Sequence, residues 1–175
     1  KIAIVNVLRK YIKESKKIRF EGDGYSEEWA KEAEKRGLSN LKSTPEALDV
    51  YTRKATKELF EKHNVLNHIE VHARQEIELE AYIKKVQIES RVMGDLALNH
   101  IIPTAILYQN KLIENANGLK SLGLDNSAAI ETIKDVSKHI ANLRTFVTEM
   151  TEARKKLNKE DDVVKRAKGY QKEVK

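Results

Sequence analysis

The longest unbroken amphipathic pattern runs from His68 to Gly123, HIEVHARQEIELEAYIKKVQIESRVMGDLALNHIIPTAILYQNKLIENANGLKSLG, with one proline and no strong breaker before Asn117-Gly118. Leu79, Ile83, Val86, Met93 and Ala97 recur at combinations of three- and four-residue steps, while Glu76, Glu78, Glu80, Lys84 and Lys85 fall mostly on other faces. This is the signature of a helix with one buried seam. Pro103 has no N–H to donate and restricts the residues before it, so a kink or restart is expected at Ile102-Pro103. Ile106, Leu107, Ile113 and Leu119 are expected to continue the apolar face beyond it. A second pattern begins after Leu122-Gly123-Leu124, where Asp125, Asn126 or Ser127 can cap a helix. Ala129, Ile133, Val136, Ile140, Leu143, Val147, Met150 and Leu157 follow a 3.5-residue repeat broken only by Arg154. Such a repeat packs lengthwise against a partner, and the second half of the spine is the natural one, as an antiparallel hairpin. After a polar break over Asn158 to Asp162, the last segment reads as a short basic helix with no evident packing face.

The elements before the spine are shorter. KIAIVNVLRKYIKES is helical in pattern, with Ile4, Leu8, Tyr11 and Ile12 on one face. Lys17 to Phe20 reads as a short extended run, and Gly22 and Gly24 as turn residues able to take positive φ. Ser26 is an N-cap with Glu27 and Glu28 in the first turn, Trp29, Ala30 and Ala33 give an apolar side, and Gly37 is a C-terminal stop. Thr44 is expected as the next N-cap, with Pro45 at the first helical position and one helix carrying Leu48, Tyr51, Ala55 and Leu59 to about Lys62. Asn67 is expected to cap the spine. The fold class is therefore all-α: an elongated helical bundle with a long, proline-kinked central helix pair and a coiled-coil-like antiparallel hairpin. Residues 1–66 form a set of short helices and loops, and 67–175 the long-helix bundle. The pattern is already mid-helix at its first residue and VVKRAKGYQKEVK ends without a cap, so the chain is expected to be a piece of something larger.

Composition narrows the function. Charged residues make up 34% and aromatics 6%, with seven glycines and two prolines, which favours helix over sheet. Thirty-three basic against 27 acidic residues give a net charge of +6. The two signs interleave, with no block of five or six like charges, so a solvated surface is expected and not a nucleic-acid interface. The absence of cysteine excludes disulfides and thiol catalysis and fits a cytoplasmic setting. No apolar run reaches eighteen residues, so no membrane span is expected.

Candidate chemistry is thin. His68 and His72 share a helix face at i, i+4, but Glu70 projects elsewhere and no third ligand is evident, so zinc is disfavoured. His100 and His139 are isolated. Gly22-Asp23-Gly24 ahead of a capped helix resembles an anion site, yet Glu21, Asp23, Glu27 and Glu28 would repel a phosphate. Lys42-Ser43-Thr44 is a helix cap before it is a phosphate site. Lys84, Glu89, Arg91, Asp95 and Asn99 read as partners in ion pairs between helices. The residues alone assign no catalytic, cofactor-binding or metal site.

Three stretches together carry a resemblance: EGDGYSEEWAKEAEKRGLSNLKSTPEALDVY, then EVHARQEIELEAYIKKVQIESRVMGDLALNHIIPTAILYQNKLIENANGLK, then the long helix with TEMTEARKKLN. Gly-Tyr-Ser-x-Glu-Trp, the Arg-Gly-Leu-x-Asn spacing and the Ile-Pro-x-Ala-x-x-Tyr-Gln run are its most specific parts. They resemble the C-terminal part of type III glutamine synthetase, over nearly the whole chain. The resemblance implies a parent enzyme that joins ammonia to glutamate at the expense of ATP, with Mg or Mn, in large rings. It also implies that Ser43 to Pro103 corresponds to the closing helices of shorter glutamine synthetases and Ile106 onward to an extension particular to type III. The family's metal-binding glutamates and substrate-binding arginines match nothing here, so the segment is expected to be inactive by itself. Its implied partners are the catalytic domain of the same chain and further copies of the enzyme. Phe20, Tyr25 and Trp29 are candidates to face that domain. The alternative reading is a free-standing helical protein-interaction module that uses the 129–157 seam.

Overall fold

A computed structural model describes residues 2–174, and the readings that touch Lys1 and Lys175 lie outside them. Every regular element among the described residues is helical. By compactness the chain divides into two units, Lys1–Lys42 and Ser43–Lys175.

In the first unit, α1 (Ile2–Glu14) tightens into a 3₁₀ turn over Ser15–Ile18. Extended backbone begins only at Arg19, later than the run expected from Lys17. The reason lies at Ile12, whose carbonyl accepts from the Arg19 guanidinium at 2.9 Å and the Ser15 hydroxyl at 3.4 Å, so the helix end stays wound while its orphan acceptor is satisfied. Next, α2 (Glu27–Lys35) starts as expected, with Ser26 Oγ accepting from the Trp29 N–H at 3.2 Å. It stops at Gly37, whose φ of 75° lets Gly37 N–H reach Glu34 O and Leu38 N–H reach Ala33 O, both at 2.9 Å. Gly22 and Gly24 do not take positive φ. The turn is made instead by Asp23, whose side chain accepts from Tyr25 N–H at 2.9 Å and whose carbonyl takes the Ser26 N–H and hydroxyl. Gly22 matters for a different reason, because a Cβ there would sit 2.8 Å from the Phe20 ring.

The second unit opens with α3 (Thr44–Leu48) and α4 (Lys54–Lys62), two helices where one was expected. The N-cap is Ser43, not Thr44: its hydroxyl accepts from Glu46 N–H at 3.4 Å, which moves Thr44 into the first helical position and Pro45 into the second. The break after Leu48 has a visible cause. The amide of the buried Gln75 donates to Leu48 O at 3.0 Å, the acceptor that a continuous helix would offer to Thr52 N–H, and to the Thr52 hydroxyl at 3.4 Å. The β-branched Val50 and Thr52 also favour leaving the helix. Because Leu48 packs into the core of the long helices, α3 and α4 belong with them and not with residues 1–42.

The spine is α5 (His68–Leu96), a π-helical turn over Ala97–Ile101, and α6 (Ile102–Ser121), a continuous run of 54 residues. Asn67 closes its start with a full capping box: its side chain accepts from Ile69 and Glu70 N–H while the Glu70 carboxylate accepts from Asn67 N–H at 2.8 Å. The disturbance expected at Pro103 takes the form of the π turn, in which Ile102 N–H reaches back five residues to Ala97 O. One inserted residue rotates every later side chain. The inward line passes from the buried Ala97 and Ile102 through the half-buried Ala105, Gln109 and Leu112 to the buried Ala116 and the half-buried Leu119, while Ile106, Leu107 and Ile113 are left outside. Met93 is likewise outside, and Gly94 takes its place in the seam against Val147 and Met150.

Helix α7 (Ser127–Leu157) returns along the spine. Asn126 Nδ2 donates to Ala116 O at 3.1 Å, Gln109 pairs with Ser137, Gly94 meets Val147 and Gln87 meets Asn158, a descending register that makes the pair antiparallel. All eight seam positions from Ala129 to Leu157 are shielded, and Val147 is buried. Finally α8 (Val163–Gly169) and a π turn (Tyr170–Val174) fold back onto α5 and α7. The segment without an evident packing face supplies the centre of the core: Ala167, Tyr170 and Val174 close over Leu79, Tyr82, Ile83 and Val86. Burying a side chain of the Leu79 class stabilises by about 1.5–3 kcal/mol.

Candidate functional site

The residues with catalytic or ligand chemistry are spread over separate structural tasks. His68 Nδ1–H donates to the Glu61 carboxylate at 3.3 Å, the Lys57 ammonium donates to His72 Nε2 at 3.2 Å, and Glu70 is held in the capping box. Among the described residues no three His, Cys, Asp or Glu side chains group closely enough to hold a metal ion. Beside the Gly22–Gly24 loop, the N–H groups of Tyr25, Ser26 and Trp29 are taken up within the turn by Asp23 and Ser26. Of the polar spine residues expected to pair between helices, Lys84 pairs along its own helix with Glu80 at 3.9 Å, and Asn99 Nδ2 with Asp95 Oδ1 at 2.7 Å. Exposed pairs of this kind contribute little.

Sequence reasoning missed the polar contacts that hold the C-terminal segment in place. Tyr170, fully buried, donates its hydroxyl to Asn158 Oδ1 at 2.5 Å, and Gln87 Nε2 donates to the same Asn158 oxygen at 2.6 Å and to Tyr170 Oη at 3.0 Å. Lys168 Nζ reaches Asp49 Oδ2 at 2.6 Å, tying α8 to the end of α3. Asp162 caps α8; the N–H groups of Lys165 and Val164 hold its carboxyl below the usual carboxylate range. Asp125 is held low in the same way by Ser127. Burial raises the Tyr82 phenol, with the Glu89 charge acting in the same direction. In the described residues these groups hold helix ends and helix packing.

What remains as functional material is surface. Phe20 and Trp29 stack on each other, ring centroids 4.6 Å apart, with the Arg36 guanidinium 5.8 Å from the Trp29 ring, whereas Tyr25 is wholly exposed. All of α1 is uncovered, and Ile77, Ile88 and Val92 form an outward apolar line on α5. None of the described helices is long and apolar enough to cross a membrane.

The described residues form an all-helical segment with a tight core and uncovered apolar faces. The comparisons give it a family. Residues 3–120 match the glutamine synthetase C-terminal domain, and the chain belongs to that family. It is 43% identical to a glutamine synthetase of Bacteroides fragilis along 98% of its length, 32% identical to a type-3 glutamine synthetase of Dictyostelium discoideum along 81%, and 29% identical to a glutamine synthetase of Butyrivibrio fibrisolvens along 98%. It spans about a fifth to a quarter of those relatives: 24%, 19% and 25% of their lengths.

Proposed function

We propose that this chain is the helical C-terminal portion of a type III glutamine synthetase, serving as scaffold and assembly surface for a ligase whose catalytic residues lie in other parts of the polypeptide. The observation that carries this reading is the alignment of nearly the whole chain with only about a quarter of the Bacteroides fragilis enzyme. The Dictyostelium discoideum relative, named as a type-3 enzyme, supports the subtype. On this reading the parent protein condenses glutamate with ammonia using ATP and Mg or Mn in the cytoplasm, assembles as a homo-oligomer, and depends on this segment for structure and not for chemistry.

Two measurements test it. The intact mass of the gene product is expected to exceed 20.1 kDa several-fold. That full-length product is expected to form glutamine from glutamate, ammonia and Mg-ATP, whereas the 175-residue chain forms none. A gene product of 175 residues would remove the ligase reading and leave a free-standing helical interaction module.

A further inference from the structure

Helix α1 has no side chain buried, although more than half of it is apolar. At 100° per residue Tyr11, Ile4, Leu8, Ile12 and Val5 fall within an arc about 120° wide, and Arg9, Lys10 and Lys13 lie outside it. Those five side chains are each at least half exposed. A helix of 13 residues is marginal in water by itself, because nucleation is costly and stability comes from a packed face. The sequence thus specifies a strongly amphipathic helix whose apolar face has no cover among the described residues.

The family match says where cover can come from. It begins at residue 3, within the first turn of α1, and the family is a C-terminal domain. Three quarters of the Bacteroides fragilis relative therefore lies outside the matched part, and α1 is the element nearest to it in sequence. We infer that the apolar face of α1 is the seat on which the ligase portion of the parent polypeptide docks, through an apolar groove whose rim carries a carboxylate facing Arg9, which borders the apolar arc, while Lys10 and Lys13 stay on the outward side. The inference rests on the parent enzyme proposed above and assigns it a specific surface, one that does not depend on Phe20, Tyr25 or Trp29. The packing of Phe20 on Trp29 leaves those two rings partly covered already, whereas α1 carries the larger unmet demand.

The chain has no cysteine, so a single thiol placed on α1 reports its own exposure. Leu8→Cys and, separately, Ile12→Cys are introduced into the 175-residue chain and into the full-length gene product, with Lys10→Cys as the polar-face control, and maleimide labelling of the α1 peptide is followed by mass spectrometry. Labelling at Leu8 and Ile12 is expected to slow at least about tenfold in the full-length protein, with Lys10 changing far less. Equal labelling in both proteins overturns the surface assignment, and if the full-length protein still forms glutamine the ligase reading survives it. A uniform slowing at all three positions also overturns it, because a buried helix end and not a docked apolar face would be the cause. A gene product no longer than this chain overturns both readings at once.

Discussion

At the scale of single residues, the second unit is fixed by a small number of side chains with no substitute. The Tyr170 hydroxyl sits where no solvent reaches and serves both Gln87 and Asn158. Tyr170→Phe keeps the ring and removes only that oxygen. Gln87 retains Asn158, so the expected loss is about 1–2 kcal/mol, read as a lower urea midpoint at unchanged m-value. An unchanged midpoint would mean that the hydroxyl contributes nothing net. Two glycines make the opposite comparison. Gly118 lies inside α6, and a methyl group added to its Cα would meet nothing within 4 Å, so Gly118→Ala should stabilise by roughly 0.5–1 kcal/mol through the lower entropy of the unfolded chain. Gly169 also lies in a helix, but a Cβ there would overlap Leu157 Cδ2 and stand 3.3 Å from Cδ1. Overpacking of roughly 1–3 kcal/mol outweighs a propensity gain of about 1, so Gly169→Ala should lower the melting temperature while Gly118→Ala raises it.

At the scale of elements, α7 shows what a sequence makes legible. Its eight seam positions are all shielded, because a long helix packed lengthwise on the spine obeys one period; Thr151, Ala153 and Arg154 join them near its end, where the C-terminal turn also packs. On α6 the same reasoning chose Ile106, Leu107, Ile113 and Leu119, of which only Leu119 is shielded; the residue inserted at the π turn carries the seam on to Ile102, Ala105 and Gln109. Pro103 announced a disturbance, but one inserted residue leaves no pattern of its own, and it rotates everything after it. The end of α3 was hidden for another reason: Gln75, 27 residues away, takes the Leu48 carbonyl, a tertiary contact that local propensity does not contain. The core role of α8 and the π turn after it was hidden because their face of Ala167, Tyr170 and Val174 is short and framed by lysines. What the candidate surfaces lacked in the sequence was evidence of their cover, since an apolar stripe looks the same whether or not a partner lies over it. Helix α8 also carries a pH prediction. The Asp162 carboxyl is held below its ordinary value in the folded chain, so the stability it adds is complete above the unfolded value of about 3.9 and disappears as pH falls through the lower folded value. Asp162→Asn retains a capping oxygen without the titration. Thermal melts followed at pH 7, 4 and 3 should fall less steeply for the variant than for the parent chain, with residual loss from Asp125. Parallel curves would show that the cap charge has no part in acid stability.

At the scale of the whole molecule, the burial is unevenly shared. Residues 43–174 hold a core of Leu79, Tyr82, Ile83, Val86, Ala167, Tyr170 and Val174, whereas in residues 2–42 the buried apolar side chain is Ala33, and α1 buries none. Stability scales with apolar area removed from water, so the first unit has little of its own with which to resist denaturant. Two spectroscopic probes separate the units. The single tryptophan, Trp29, lies in the first unit against Phe20, while helix content is concentrated in the spine and α7. Urea unfolding of the 175-residue chain followed by Trp29 fluorescence should therefore reach its midpoint well below the one followed by circular dichroism at 222 nm. Coincident midpoints would mean that residues 2–42 melt only with the long helices, and that α1 does not need an outside partner to persist. In the full-length gene product the Trp29 transition should move upward toward the other, because a docked ligase portion supplies to α1 the apolar contact that the isolated chain lacks. That shift ties the uncovered face of one short helix to the larger protein whose relatives share its sequence.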